Sequence, residues 1–260
     1  MSEVWLDGRF VPEDQAFVRA TDPGFLHGRG VFETLRACGG VPFRLADHLD
    51  RLAASAAHFR IPAAKPPLDA VIRELCDRNT LPDAAVRITL SAGGHLLVTA
   101  RRREPPPEAW LRDGAEVMLA PWRRDLRAPL AGHKTLSYLE NVLTHEEARR
   151  RNCADALYVG LRGELIEGCV TNVFLVLDGR LVTPRLVPGI LPGVTRKVVL
   201  ELEKTRERTV RAKDLLRAEE AFLTNSLLEI VPVQKPPGPV TRRVMGAYRD
   251  AVQKAIGLRP

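Results

Sequence analysis

Between His133 and Phe174 the chain carries one lysine and one carboxylate whose neighbours set them apart. The pattern predicts that Lys134 opens an amphipathic helix. Two strand-like runs follow, and Glu167 sits at their turn, inside Glu167-Gly168-Cys169-Val170-Thr171-Asn172. A lysine can form an imine, and a carboxylate can hold a ring nitrogen protonated, a pairing that suits pyridoxal phosphate chemistry. Taken singly, each residue has a plainer role: a solvated lysine at a helix start, a surface glutamate before Gly168. Further along, Pro192-Gly193-Val194-Thr195 marks the start of another helix. The unpaired amides and dipole of such a start favour an anion, and the Thr195 hydroxyl adds a donor.

The elements that must position these residues can be read from pattern. Asp7-Gly8 between Val4-Leu6 and Arg9-Val11 predicts a tight hairpin. A loop through Asp22-Pro23-Gly24 and His27-Gly28-Arg29-Gly30 leads into a strand over Val31–Arg36, then a Gly39-Gly40 turn. Leu45, Leu49, Leu52, Ala56 and Phe59 lie at helical spacing and predict an amphipathic helix ending before Pro62. A second helix is expected over Leu68–Arg78, strands over Ala85–Leu90, Leu96–Arg101 and Glu116–Ala120. Beyond them the pattern predicts a helix over Ser137–Arg150, strands at Ala156–Val159, Val173–Leu177 and Arg180–Val182, and a helix to about Lys204. Short strands at Ala221–Thr224 and Glu229–Val233 and a closing helix over Val240–Ile256 complete the reading. Pro121–Leu130 interrupts the periodicity and reads as a linker. The expected organisation is therefore a small domain over 1–120, a linker over 121–130 and a larger domain over 131–260. Hairpins mixed with helices, without strict alternation, predict an α+β fold.

Composition narrows the function. The net charge of +7 comes with only 5% aromatic residues, so base-stacking platforms are lacking and nucleic acid is not the expected partner. No apolar run approaches the ~20 residues that span a bilayer. The N-terminal residues lack a signal pattern, which predicts a cytoplasmic protein. Cys38, Cys76, Cys153 and Cys169 are scattered and read as reduced thiols; His145-Glu146-Glu147 lacks a second histidine, and no metal is expected.

Four motifs in order make the chain resemble the class IV aminotransferases, the fold-type-IV pyridoxal phosphate enzymes: GRGVFETLR, HLDRL, HK followed by EGCVTNVF, and PGVTR followed by TNSLLEIVPV. The resemblance runs from Asp7-Gly8 to about Val233. It implies a two-domain fold, a small N-terminal α/β domain and a larger hairpin-rich domain with flanking helices. It implies pyridoxal 5′-phosphate as cofactor and a homodimer with its active site at the subunit interface. By the same resemblance, Lys134 holds the cofactor and then moves the substrate proton. Glu167 pairs with the ring nitrogen, while Arg51, Val194, Thr195, Asn225 and Ser226 hold the phosphate. Asn225 has a turn-forming role as its alternative, and Tyr138 reaches the phenolic oxygen or packs in the core. Thr34, Arg29 and Arg87 are the candidates for an amino- or carboxylate-bearing small-molecule substrate. Thr34 and the Thr224-Asn225-Ser226-Leu227 turn lean toward 4-amino-4-deoxychorismate lyase; a transaminase for D- or branched-chain amino acids is the alternative.

Overall fold

The computed structural model describes residues 2–62 and 66–257, and the chain divides into two compact units. The first comprises residues up to Glu104, Lys134–Tyr138 and the chain from Val252 onward; the second comprises Pro105–His133 and Leu139–Ala251. The crossing thus falls at Pro105 rather than at a linker over 121–130, and five residues beyond that expected linker return to the first unit.

In the first unit, β1 (Glu3–Leu6), β2 (Arg9–Pro12), β3 (Gly30–Cys38), β4 (Val41–Pro42), β5 (Asp83–Ser91) and β6 (Leu96–Arg102) form one antiparallel sheet, ordered β2-β1-β6-β5-β3-β4. Asp7 and Gly8 both take positive φ, as the expected two-residue hairpin demands. Side chains alternate across the sheet. Val31, Leu35, Val86, Ile88 and Val98 face a core completed by α2 (Leu45–His58) and α3 (Leu68–Arg78), through Leu52, Ala56, Ile72 and Leu75. The two-residue period places Phe32 and Thr34 on the opposite face, opposite Thr89 and Arg87 in the register of β3 with β5. The short helix α1 (Pro23–His27), in a stretch expected to be loop, is capped by the Asp22 carboxylate, which accepts from the Gly24 amide at 2.6 Å.

The second unit opens with α4 (Glu108–Asp113). One of its sheets contains β7 (Val117–Arg124), β8 (Asp155–Gly160), β9 (Glu164–Gly168) and β13 (Val210–Arg211), ordered β13-β9-β8-β7. The other contains β10 (Asn172–Leu177), β11 (Arg180–Pro184), β12 (Arg206–Arg208), β14 (Glu220–Asn225) and β15 (Glu229–Pro232), ordered β12-β11-β10-β14-β15. Helices α5 (Leu139–Arg150), α6 (Val194–Leu202), α7 (Ala212–Arg217) and α8 (Pro239–Ala255) complete it, α8 running on past residue 251. Strand β7 runs straight through Pro121, which the sequence reading placed in a linker. It is the edge strand, and its register with β8 shifts between Leu119 and Arg123, the two settings in which a missing N–H is tolerated. Every residue of β8 and β10 is buried, and Phe174 and Phe222 stack with centroids 4.9 Å apart. Glu167 lies within β9 rather than at a turn; the turn comes just after it. No helix among the described residues is long and apolar enough to cross a membrane.

Candidate active site

Lys134 does not open a helix. Helix α5 begins at Leu139, and residues 134–136 instead lie extended against the start of β3. The Phe32 amide donates to the Lys134 carbonyl and the Leu136 amide to that of Gly30, both at 2.9 Å. This pairing explains the two glycines of Gly28-Arg29-Gly30. Gly28 ends α1 at φ 63°, where an added Cβ would meet Ser137. At Gly30 a Cβ would press into the Leu136 side chain and lie 2.7 Å from the Leu90 carbonyl oxygen. We expect Gly30→Ala to cost roughly 1–3 kcal/mol in a urea melt. It should also lower turnover on the order of 10²-fold by displacing the lysine segment. Unchanged turnover would show that this packing does not position Lys134.

The half-buried lysine sends its Nζ over the Phe32 ring, 4.5 Å from the centroid, and 5.3 Å from that of Tyr138. Tyr138 meets Phe32 edge-to-face at 5.1 Å. It therefore neighbours Lys134 alongside Phe32, not through a shared helix face. The Arg87 guanidinium lies 3.7 Å from the Phe32 centroid, and its Nε donates to Thr89. Burial pulls Arg87 below its ordinary value, opposed by Tyr138 and reinforced by the charge of Arg101. It is a desolvated cation facing the lysine's aromatic seat. Thr34 stands directly across the β3–β5 pair from Arg87. Arg29 is exposed, and its backbone carbonyl accepts from the Ala92 amide.

Arg51 belongs to a buried triad. Its Nε and Nη2 grip the two oxygens of Glu33 at 2.7 Å each, and His48 Nδ1 lies 2.7 Å from Glu33 Oε2. Glu33 occupies a core-facing position of β3, and the residues that answer it stand three apart on α2. Burial opposes ionisation of Glu33, but the charge and hydrogen bonds of Arg51, with those of His48, hold its carboxyl down at about 2. Burial also keeps His48 below its ordinary value, despite Glu33. A neutral His48 facing a carboxylate carries its proton on Nδ1 and donates it.

In the second unit Glu167 is buried. Its Oε2 accepts from Asn172 Nδ2 at 3.3 Å and from the Leu191 amide at 3.1 Å, and Arg124 Nη1 stands 3.7 Å from Oε1. Asn172 also donates to the Leu191 carbonyl and lies so close to Gly193 that a Cβ there would strike its Oδ1. One amide side chain thus ties Glu167 to the loop that launches α6. At that launch Gly193 provides no side-chain cap, so the first-turn amides of Val194 and Thr195 point outward from the helix start. The buried Thr195 hydroxyl lies 3.5 Å from that of Tyr248. Asn225 spends its side chain on the β14–β15 turn: Oδ1 accepts from the amides of Leu227 and Leu228, and Nδ2 donates to the Val170 carbonyl. Ser226 follows in the same turn.

A model of the family described as amino-transferase class IV matches residues 30–235. The chain belongs to this family. A branched-chain-amino-acid aminotransferase of Salmonella typhimurium is 28% identical over 94% of the chain and 91% of its own length. A D-alanine aminotransferase of Listeria innocua is 29% identical over 98% of each. Among solved structures, the T.th. branched-chain amino acid aminotransferase with pyridoxamine 5′-phosphate superposes with a TM-score of 0.88 at 25% identity, covering 100% of this chain and 95% of that one. The fold is that of these pyridoxal phosphate enzymes, and pyridoxal 5′-phosphate is the cofactor. The class IV chain suits it on its own geometry: an uncapped nine-residue helix start for the phosphate, and a buried carboxylate tied to the same loop for the ring nitrogen.

Several residues of this class IV enzyme escaped the sequence reading. Arg124 lay in the supposed linker. It packs 3.4 Å from the Tyr158 ring centroid and binds Glu140 and Asn141, so it presents a fixed charge to Glu167. Burial raises Tyr158 above its ordinary value, and its hydroxyl donates to Thr144. Glu33, His48 and Asn172 all stood inside recognised motifs, but their roles depend on partners that spacing does not reveal. The reading found no metal signature, whereas the fold brings His145, Asp155 and Cys169 together.

Proposed function

We propose that this enzyme is a transaminase exchanging an amino group between an amino acid of the branched-chain or D type and a 2-oxo acid. The observation that carries this reading is that relatives matching nearly the whole chain are named as branched-chain and D-alanine aminotransferases. Bound pyridoxal 5′-phosphate supplies the electron sink for the charge left on the substrate carbon. Lys134 would hold the cofactor, and its Nζ would serve as the base that takes and returns the substrate proton. Glu167 would hold the ring nitrogen protonated. Arg51, whose plane Glu33 sets, would be a phosphate donor, and so would the amides of Val194 and Thr195 and the Ser226 turn. Arg87 receives the substrate carboxylate, with Thr34 beside it; Arg29 meets a charged substrate group from the rim or across a subunit interface.

A homodimer is supported by the apolar surface of the second unit. Leu139, Val142 and Leu143 share one face of α5 and are 67%, 42% and 46% exposed. The cysteines, none in a disulfide, agree with a cytoplasmic setting. One second reading has its own support: Thr34 and the Thr224-Asn225-Ser226-Leu227 turn favour 4-amino-4-deoxychorismate lyase, with pyruvate released and 4-aminobenzoate formed.

Visible spectra of the purified holoenzyme with a panel of D- and L-amino acids separate the two. Bleaching of the yellow band by a donor, with a 2-oxo acid restoring it, is the expected result. In the same panel Arg87→Ala should raise KM roughly tenfold or more for every donor, as loss of a charged hydrogen bond does. A band that persists with every donor, together with pyruvate release from aminodeoxychorismate, would replace the transaminase reading with the lyase.

A further inference from the structure

Away from Lys134, three side chains converge that the reaction does not use. His145 Nδ1 lies 3.7 Å from Asp155 Oδ1 and 3.8 Å from Cys169 Sγ, while the Cys169 thiol donates to Asp155 Oδ1 at 2.5 Å. All three potential ligand atoms fall within 4.8 Å of one another. Asp155 and Cys169 are buried, whereas His145 on α5 is 31% exposed and so opens the cluster to solvent. Around a tetrahedral zinc, with bonds of ~2.0–2.3 Å, ligand atoms stand roughly 3.3–3.8 Å apart. The two edges to His145 already match. The third, now a hydrogen bond, opens by roughly 1 Å when an ion replaces the thiol proton.

The carboxylate is also pre-oriented. Its second oxygen accepts from the Thr171 hydroxyl at 2.7 Å and the Val170 amide at 3.2 Å, the outer contacts that fix a metal ligand. A sulfur, an imidazole nitrogen and a carboxylate oxygen favour zinc or cobalt over magnesium or calcium. The same contacts hold the turn between Glu167 of β9 and Asn172 of β10, which also receives Asn141 Nδ2 on the Cys169 carbonyl.

We propose that His145, Asp155 and Cys169 form a binding site for a thiophilic divalent ion such as zinc, and that occupancy strains the turn beside Glu167 and inhibits the enzyme. On binding, the thiol proton passes to solvent, the metal–sulfur bond forms and no group changes oxidation state. The binding half stands on this geometry alone; the inhibitory half rests on Glu167 serving the cofactor.

The test is titration of metal-free holoenzyme with cobalt(II), read by the visible ligand-field bands of tetrahedral cobalt, and with zinc by calorimetry and residual activity. Wild type should bind one ion per chain with a tetrahedral thiolate spectrum and lose activity. His145→Ala should keep its basal activity, bind at least about tenfold more weakly and resist zinc. Cys169→Ser should lose the sulfur-to-cobalt band; if it does not fold, the surface variant His145→Ala decides alone. Equal affinity in wild type and His145→Ala, or an octahedral cobalt spectrum, overturns the site. Stoichiometric binding with unaltered turnover overturns the inhibitory half. The cobalt spectrum does not depend on turnover, so it stands or falls apart from the transaminase reading.

Discussion

Lys134→Ala is expected to lower kcat by at least 10²–10⁴-fold, roughly the range lost with a positioned general base, and to abolish the yellow absorbance of the holoenzyme. The expectation rests on the seat of the lysine. Its carbonyl accepts from the Phe32 amide, the Leu136 amide donates to Gly30, and the lysine's Nζ lies over Phe32 beside Tyr138. The amine is held against aromatic faces, and the Arg87 guanidinium lies on the same Phe32 ring. Stability should change little, since a cation–π contact contributes only about 0.5–2 kcal/mol. The thermal midpoint and far-UV spectrum of the variant therefore serve as controls. Turnover within tenfold of wild type, in a variant that melts normally, would assign the proton transfer to another residue.

The second large effect concerns stability. Glu33→Gln removes the charge that both Arg51 and His48 face from buried positions, and breaking such a cluster from one side costs about 3–5 kcal/mol. The pH dependence offers an independent route to the same magnitude. The Glu33 carboxyl is depressed in the folded protein to about 2 from an ordinary 4.5, so the unfolded chain binds its proton more readily than the native one. Its stabilising contribution, roughly 3 kcal/mol, is complete above pH 4.5 and fades as the pH falls from there toward about 2. His48 acts in the same direction, because its folded value is also depressed and acid must charge a buried imidazole. Urea melts of wild type and variant across this window should converge on acidification. A gap that stays constant down to pH 3 would mean that Glu33 is not the ionised partner. The variant should also release cofactor more readily, because the plane of Arg51 is set by its bidentate grip on Glu33.

Local rules carried much of this protein. Asp7-Gly8 and Asp178-Gly179 take the positive φ that two-residue hairpins require, and no distant contact is needed to foresee them. Helices α2 and α3 follow from apolar spacing, and β3, β5 and β6 from alternation. The candidate chemical residues were visible too, because Lys134, Glu167, Arg51 and Thr195 stand in motifs whose residue types suit the chemistry. What sequence left undecided was every relationship made across distance. Lys134 looked like a helix start, but pairing of Thr135 with Val31 draws it into an extended edge, possible only because Gly30 has no Cβ. Pro121 looked like a break, but at a bulged edge strand it costs no ladder hydrogen bond, and β7 continues to deliver Arg124 to Glu167. Glu33 meets Arg51 eighteen positions later, and Cys169 meets His145 twenty-four positions earlier. Dihedral preference and periodicity act over a few residues, so the sequence alone determined elements and candidate groups. Strand register and close packing, which act between distant segments, decided which of those groups face one another.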